Sequence, residues 1–115
     1  MAVTIAAFAS TGTSIGTITS MVTNTAGPDS ETTDGLFQPF VLIPAAATPA
    51  DIFEINYYET VNATQLIVWT GTVRGQGAVF GWAGPAMMLG VGWDMTIAKA
   101  SGTDRTLLWH INKAA

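Results

Sequence analysis

The stretch 51–73 constrains the fold of this chain most, because it contains two runs of strand-forming residues joined by a short polar link. In the first run Phe53, Ile55 and Tyr57 alternate with more polar residues, and successive side chains of a strand point to opposite faces. The second run, 66–69, is apolar at every position. We therefore predict an antiparallel hairpin whose second strand lies centrally in a sheet, covered on both faces.

The first strand of this hairpin presents a second set of side chains on the face opposite to Phe53. These are Glu54, Asn56, Tyr58 and Thr60. Only one of the four is charged, so this face is sparsely charged. We predict that it is exposed and is a candidate surface for contact with a partner.

The rest of the chain also favours strands. One or two are predicted within residues 1–24, one at 36–43, and a short buried one at 86–89 that includes Met87 and Met88. Pro39 cannot donate a hydrogen bond to a neighbouring strand, which predicts an edge position or a bulge for the strand that contains it.

Two further alternating strands lie near the end of the sequence, at 93–98 and 105–112. Their predicted core-facing residues are Trp93, Met95 and Ile97 in the first and Leu107, Trp109 and Ile111 in the second. The turn at 100–104, which contains a glycine, predicts a second antiparallel hairpin. No amphipathic helix is evident. The predicted fold class is therefore all-β: one domain over residues 1–115, an antiparallel β-sandwich of seven to eight strands with jelly-roll or Greek-key connections.

Charge limits the possible partners. Only 10% of residues are charged, against roughly 25% in average soluble proteins, and the net charge is -4 with no basic residue before Arg74. Nucleic acids and anionic membranes need clustered basic side chains, so neither is a predicted partner. So neutral a surface favours permanent contacts with protein, although a monomer with a threonine-rich surface remains the alternative. The absence of cysteine excludes disulfides.

The N-terminal segment is apolar, and no Lys or Arg precedes it, so a secretory signal peptide is not predicted. We interpret residues 1–14 as a first strand or as an arm that becomes ordered on contact with a neighbouring subunit. Its first residues are included among the candidate interface residues. They are Met1, Ala2, Val3, Thr4 and Ile5.

Catalytic and metal-binding patterns are weak. The loop residues Asp29, Glu31 and Asp34 allow a cation site, but their spacing fits no EF-hand, and solvated acids are the alternative. His110 is the single histidine, and Asp94 could approach it across the second hairpin as an acid–base pair. Alternation places both on the outward face. We predict no enzyme activity, no catalytic or metal-binding residue and no cofactor.

Four tryptophans are present, and Trp82 differs from the others because Gly81 and Gly84 flank it in a break between strands. Exposed tryptophans anchor protein interfaces and stack on sugars. Trp82 is therefore either an interface anchor, a sugar platform or a residue in local packing.

From Asp34 to Lys113 the order of segments resembles small structural proteins encoded among the head genes of tailed bacteriophages. The likeness lies in this layout and in phrases such as GWDMTIAKASGTDR. It implies a jelly-roll-like sandwich that decorates or cements a capsid, with the major capsid protein and further copies of itself as partners, located on the virion surface. It transfers no individual functional residue. The alternative hypothesis is a carbohydrate- or receptor-binding module of a tail fibre or spike that uses Trp82 and Tyr58.

Overall fold

The computed structural model describes residues 5–114, and this part of the chain forms nine strands and no helix. The strands are β1 (Ile5–Ile15), β2 (Thr19–Ser20), β3 (Gly35–Ile43), β4 (Ile52–Val61), β5 (Thr64–Arg74), β6 (Phe80–Ala83), β7 (Met87–Leu89), β8 (Asp94–Ser101) and β9 (Arg105–Ala114). They build two antiparallel sheets, and the predicted all-β sandwich is confirmed.

Sheet A has the order β1-β9-β3-β6, and β7 pairs with β3 beyond the end of β6. Sheet B has the order β2-β8-β4-β5. The antiparallel pairs are nested: β4 pairs with β5, β3 with β6 and β7, β2 with β8, and β1 with β9. The pairs β3–β9 and β4–β8 complete the sheets. A long hairpin rolled up in this way is a jelly roll, one of the two topologies that the sequence predicts.

The first predicted hairpin is present. Asn62 and Ala63 form its two-residue turn, and both have positive φ angles, 52° and 66°. That conformation matches the twist of the flanking strands. The predicted central position of its second strand is wrong, because β5 is the edge strand of sheet B. Leu66, Ile67 and Val68 are exposed rather than covered on both faces.

The second predicted hairpin is wrong in its pairing. Strand β8 lies in sheet B and β9 in sheet A, so the loop between them crosses from one sheet to the other. The Asp51 carboxylate holds this crossing in place: it accepts hydrogen bonds from the Thr103 backbone amide at 2.7 Å and the Arg105 Nε at 2.9 Å. The predicted inward faces of the two strands are nevertheless correct.

The predicted edge position of Pro39 is also wrong, because β3 lies between β9 and the pair β6 and β7. Residues 40–43 of β3 pair with β6 and residues 35–37 pair with β7, which leaves a gap at Pro39. The Pro39 carbonyl accepts a hydrogen bond from the Gly84 amide at 3.1 Å. No partner on that side requires the missing N–H, so the strand accommodates proline.

The core lies between the two sheets and follows the alternation. Sheet B contributes Phe53, Ile55 and Tyr57, which are fully buried as predicted. The Trp93 ring also lies in the core, with its centroid 4.3 Å from that of Phe37 and 5.9 Å from that of Phe8. Met87 packs against the core. Met88 points outward with 81% of its surface exposed, so its predicted role as a core filler is wrong.

Candidate functional site

The predicted contact face on β4 is largely covered by the chain itself. Alternation does place Glu54, Asn56, Tyr58 and Thr60 on the outer side of sheet B, but only 6% of Asn56 and 7% of Tyr58 is exposed. The Asn56 side chain donates a hydrogen bond to the Glu54 carboxylate and accepts one from the Thr70 hydroxyl. The Thr60 hydroxyl donates to the Gly92 carbonyl at 2.8 Å. The prediction of an open contact face at these positions is wrong.

The cover is the loop between β2 and β3. The backbone amide of Asp29 donates to the Asp94 carboxylate at 2.8 Å, and the Gln65 side chain donates to the Asp29 carbonyl at 2.6 Å. Asp94 belongs to β8 and Gln65 to β5, the two neighbours of β4. The loop therefore passes over β4, and it buries Tyr58 beside Asp94, its partner in register.

The acid–base pair that the sequence allows is not assembled. Asp94 is buried and accepts a hydrogen bond from the Ser20 hydroxyl at 2.9 Å in addition to the one from Asp29. Burial raises the pKa of its carboxyl above the ordinary value. His110 is exposed on sheet A, where its ring stacks on Phe40 with centroids 5.1 Å apart. The two residues belong to different sheets because the second hairpin does not form.

In the loop between β2 and β3, the carboxylates of Asp29 and Glu31 accept hydrogen bonds from neighbouring residues of the same loop. The Asp29 carboxylate accepts hydrogen bonds from the hydroxyls of Thr23 and Thr25 at 2.6 and 3.0 Å. The Glu31 carboxylate accepts them from the backbone amides of Thr32 and Thr33. Within residues 5–114, no three acidic or histidine side chains cluster in a way that would hold a metal ion.

Trp82 closes the open side of the sandwich, where β5 and β6 are not hydrogen-bonded to each other. It is in register with Val41 and points toward the core. Its ring centroid lies 6.2 Å from that of Trp69, which in turn lies 4.7 Å from Tyr57. Trp82 is half-buried in this aromatic row, so local packing, one of its three predicted roles, is the one that its contacts support.

The predicted N-terminal arm is wrong for residues 5–14. They are part of β1, which pairs with β9 from Ile5 opposite Ala114 to Ile15 opposite Arg105. The alternative prediction of a first strand is correct. Ile5 remains exposed. Met1, Ala2, Val3 and Thr4 lie outside the described residues.

Sequence reasoning missed the outer face of sheet A. Alternation and register place 17 residues on it, and none is Asp, Glu, Lys or Arg. They are Ile5, Ala7, Ser10, Gly12, Ser14, Leu36, Gln38, Phe40, Leu42, Gly81, Ala83, Met88, Thr106, Leu108, His110, Asn112 and Ala114. Large apolar side chains are exposed here, among them Leu108 at 52% and Leu42 at 43%. Every charged side chain of the chain lies elsewhere.

A groove of about 760 Å³ runs along this face. Leu42 and Leu108 are opposite each other in the register of β3 and β9, and Phe40 and His110 form the next such pair. Beside them Gly81 provides open floor, because a Cβ added there would meet nothing within 4 Å. A signal for this surface was present in the sequence: β3 (GLFQPFVLI) is apolar on both faces, as is the segment 66–69.

Strand β5 is the second exposed apolar surface, on the other sheet. Its residues 64–73 carry no charge, and Leu66, Ile67 and Val68 are all exposed. Val68 has no partner on β4, because the register shifts by one residue between the pairs Tyr57–Trp69 and Tyr58–Ile67. Such a bulge bends the edge strand, and no described strand pairs with the outer side of β5.

Comparisons of the chain with models of protein families, with curated proteins and with solved structures gave no match. None of the described residues forms a helix long and apolar enough to cross a membrane.

Proposed function

We propose that this chain is a structural protein of a tailed-bacteriophage head, a decoration or cement protein that stabilises contacts between major capsid subunits at the capsid surface. One observation carries the proposal: two separate uncharged apolar surfaces are exposed, one on each sheet. A protein that cements an assembly must hold at least two neighbours. Both surfaces can be desolvated without burying a charge.

The β5 edge is the surface that we assign to the capsid protein. An edge strand offers a row of unpaired backbone groups to which a partner can add a strand. Leu66, Ile67 and Val68 extend this edge with apolar side chains, and Ile67 lies beside Tyr58 at the outer face of sheet B. The candidate contact region predicted on the hairpin therefore moves from β4 to the adjacent edge strand.

The fold alone does not choose between the two functional hypotheses, since jelly rolls occur in viral capsid proteins and in lectins. The positions of the two residues predicted to bind sugar distinguish these hypotheses better than the fold does. Tyr58 is buried, and Trp82 packs against Trp69. Sugar recognition also needs several convergent polar groups, whereas the groove on sheet A is mostly apolar.

We expect a glycan array probed with the protein to show no specific binding. Trp82→Ala serves as the control in the same array. Binding that the wild type shows and this variant loses would favour the receptor-binding alternative instead. A gene for a tail fibre beside this one would point the same way, whereas a neighbouring gene for a major capsid protein is the expected arrangement.

Replacing Ile67 by lysine is expected to weaken capsid binding at least tenfold, because the ammonium group must be desolvated at the contact. The measurement is co-sedimentation of purified protein with capsids of its phage from which the protein has been removed. Val91→Lys, an equally exposed position outside both surfaces, is the matched control and should bind like the wild type. Wild-type protein that stays in the supernatant would refute the proposed function.

A further inference from the structure

The outer face of sheet A is large enough for a stable interface. Four strand positions at roughly 4.8 Å each and ten residues of β9 at roughly 3.4 Å each give an area of about 650 Å². A standard interface buries about 800 Å² per partner. Eleven of its 17 residues are apolar or glycine, and monomeric proteins rarely leave a large continuous apolar surface exposed.

The chemistry of the face restricts what can cover it. It carries no Asp, Glu, Lys or Arg with which to attract a charged partner, and only six of its 17 residues are polar. Another flat, uncharged sheet face fits it best, and a second copy of the chain supplies an identical one. Two copies that each carry a net charge of -4 repel each other. They can approach closely through a broad face that carries no Asp, Glu, Lys or Arg.

The face has both projecting side chains and a groove, the two elements that a self-complementary two-fold interface requires. Leu42 and Leu108 project beside the open floor at Gly81. When two such faces pack as sheets do, about 10 Å apart and rotated by roughly 30°, the leucines of one copy can enter the groove of the other. The same contact is then made twice.

We propose that two copies of this chain form a two-fold dimer through the outer faces of sheet A, with Leu42, Leu108 and the floor at Gly81 at its centre. The dimer deepens the proposed function, because it would give a cement protein two β5 edges on one particle. It does not depend on that function, and no capsid is needed to test it.

Sedimentation velocity over a concentration series tests the dimer. The wild type is expected at about 24 kDa, twice the 12.0 kDa of the chain. Leu108→Glu should raise the dissociation constant of the dimer at least about 100-fold, because a carboxylate would be buried without a partner. A wild type that is monomeric at every concentration, or that forms only larger oligomers, overturns the proposal.

Two substitutions at Gly81 separate an interface effect from misfolding. A Cβ added at Gly81 meets nothing within 4 Å, so Gly81→Glu should fold, as circular dichroism would show, and yet be monomeric. Gly81→Ala should remain dimeric. Ile67→Lys changes the other surface and should also remain dimeric while it loses capsid binding. If Leu108→Glu and Gly81→Glu both sediment as dimers, the interface does not lie on this face.

Discussion

Replacing Trp93 by alanine is expected to lower the free energy of unfolding by about 4 kcal/mol, the range found when a large aromatic side chain is removed from a core. Trp93 is fully buried. Its ring packs against Phe37 and Phe8. Its indole N–H donates to the Thr33 carbonyl at 2.6 Å, and its backbone carbonyl accepts from the Glu31 amide at 2.8 Å.

The loss therefore has two components. A cavity opens between the sheets, and the loop that covers β4 loses a hydrogen bond to the core. Trp93→Phe should retain most of the ring contacts and cost about half as much. Val79→Ala, at an exposed position, should change the stability by less than about 0.5 kcal/mol.

The measurement is urea unfolding of all three variants and the wild type at one protein concentration, because dimerisation would add a concentration-dependent term. A loss below about 1 kcal/mol for Trp93→Ala would contradict the packing described for this residue.

Stability is expected to fall as the pH is lowered from 4 to 2, and Asp51 should account for a measurable part of the fall. Hydrogen bonds from the backbone amides of Thr103 and Thr48, together with the Arg105 side chain, lower the pKa of Asp51 from 3.8 to about 2. Between these values the unfolded chain binds a proton that the native chain does not. Acidification therefore favours unfolding in that range.

The test compares urea midpoints of the wild type and Asp51→Asn at pH 5, 4, 3 and 2. The asparagine variant should be less stable at neutral pH, because one amide oxygen cannot accept all the hydrogen bonds that the carboxylate accepts. Its stability should depend less on pH between 4 and 2. Parallel pH curves for the two proteins would rule out this role for Asp51.

Asp94 provides a contrast within the same protein. Burial raises the pKa of its carboxyl, so the native chain takes up this proton at a higher pH than the unfolded chain does. The stability that protonated Asp94 contributes is fully present below the pKa of the unfolded chain. It is lost as the pH rises through the pKa of the native chain. Its effect therefore falls above pH 3.8, outside the range in which Asp51 acts.

Much of the fold could be predicted from residue patterns. The alternation of Phe53, Ile55 and Tyr57 identified the core face of β4, and the same rule identified Leu107, Trp109 and Ile111 on β9. These predictions succeed because the two-residue period of a strand is a local property. Which strand pairs with which is not local. A short loop can join two strands of one sheet or lead from one sheet to the other, as the loop before Arg105 does.

The candidate surfaces were harder to predict for a related reason. A segment that is apolar on both faces indicates that both faces need cover, but the cover need not come from the same chain. That assumption predicts an interior position for residues 66–69, yet they lie at an edge. Conversely, alternation predicts an exposed Tyr58, because it contains no information about the distant loop that crosses over β4.

From the nesting of the strand pairs we expect them to form in order, from the innermost pair outward. Among the strands of residues 5–114, only β4 and β5 are neighbours joined by a two-residue turn. This hairpin can therefore form within microseconds and without a large loss of chain entropy. Each later pair then brings together segments that the previous pair has already drawn close. Strand β9 lies between β1 and β3, so sheet A cannot close on the ribosome until β9 has emerged. Until then β1 and β3 lack the strand that pairs with both of them, so we expect the partly made chain to be most prone to aggregation in this interval.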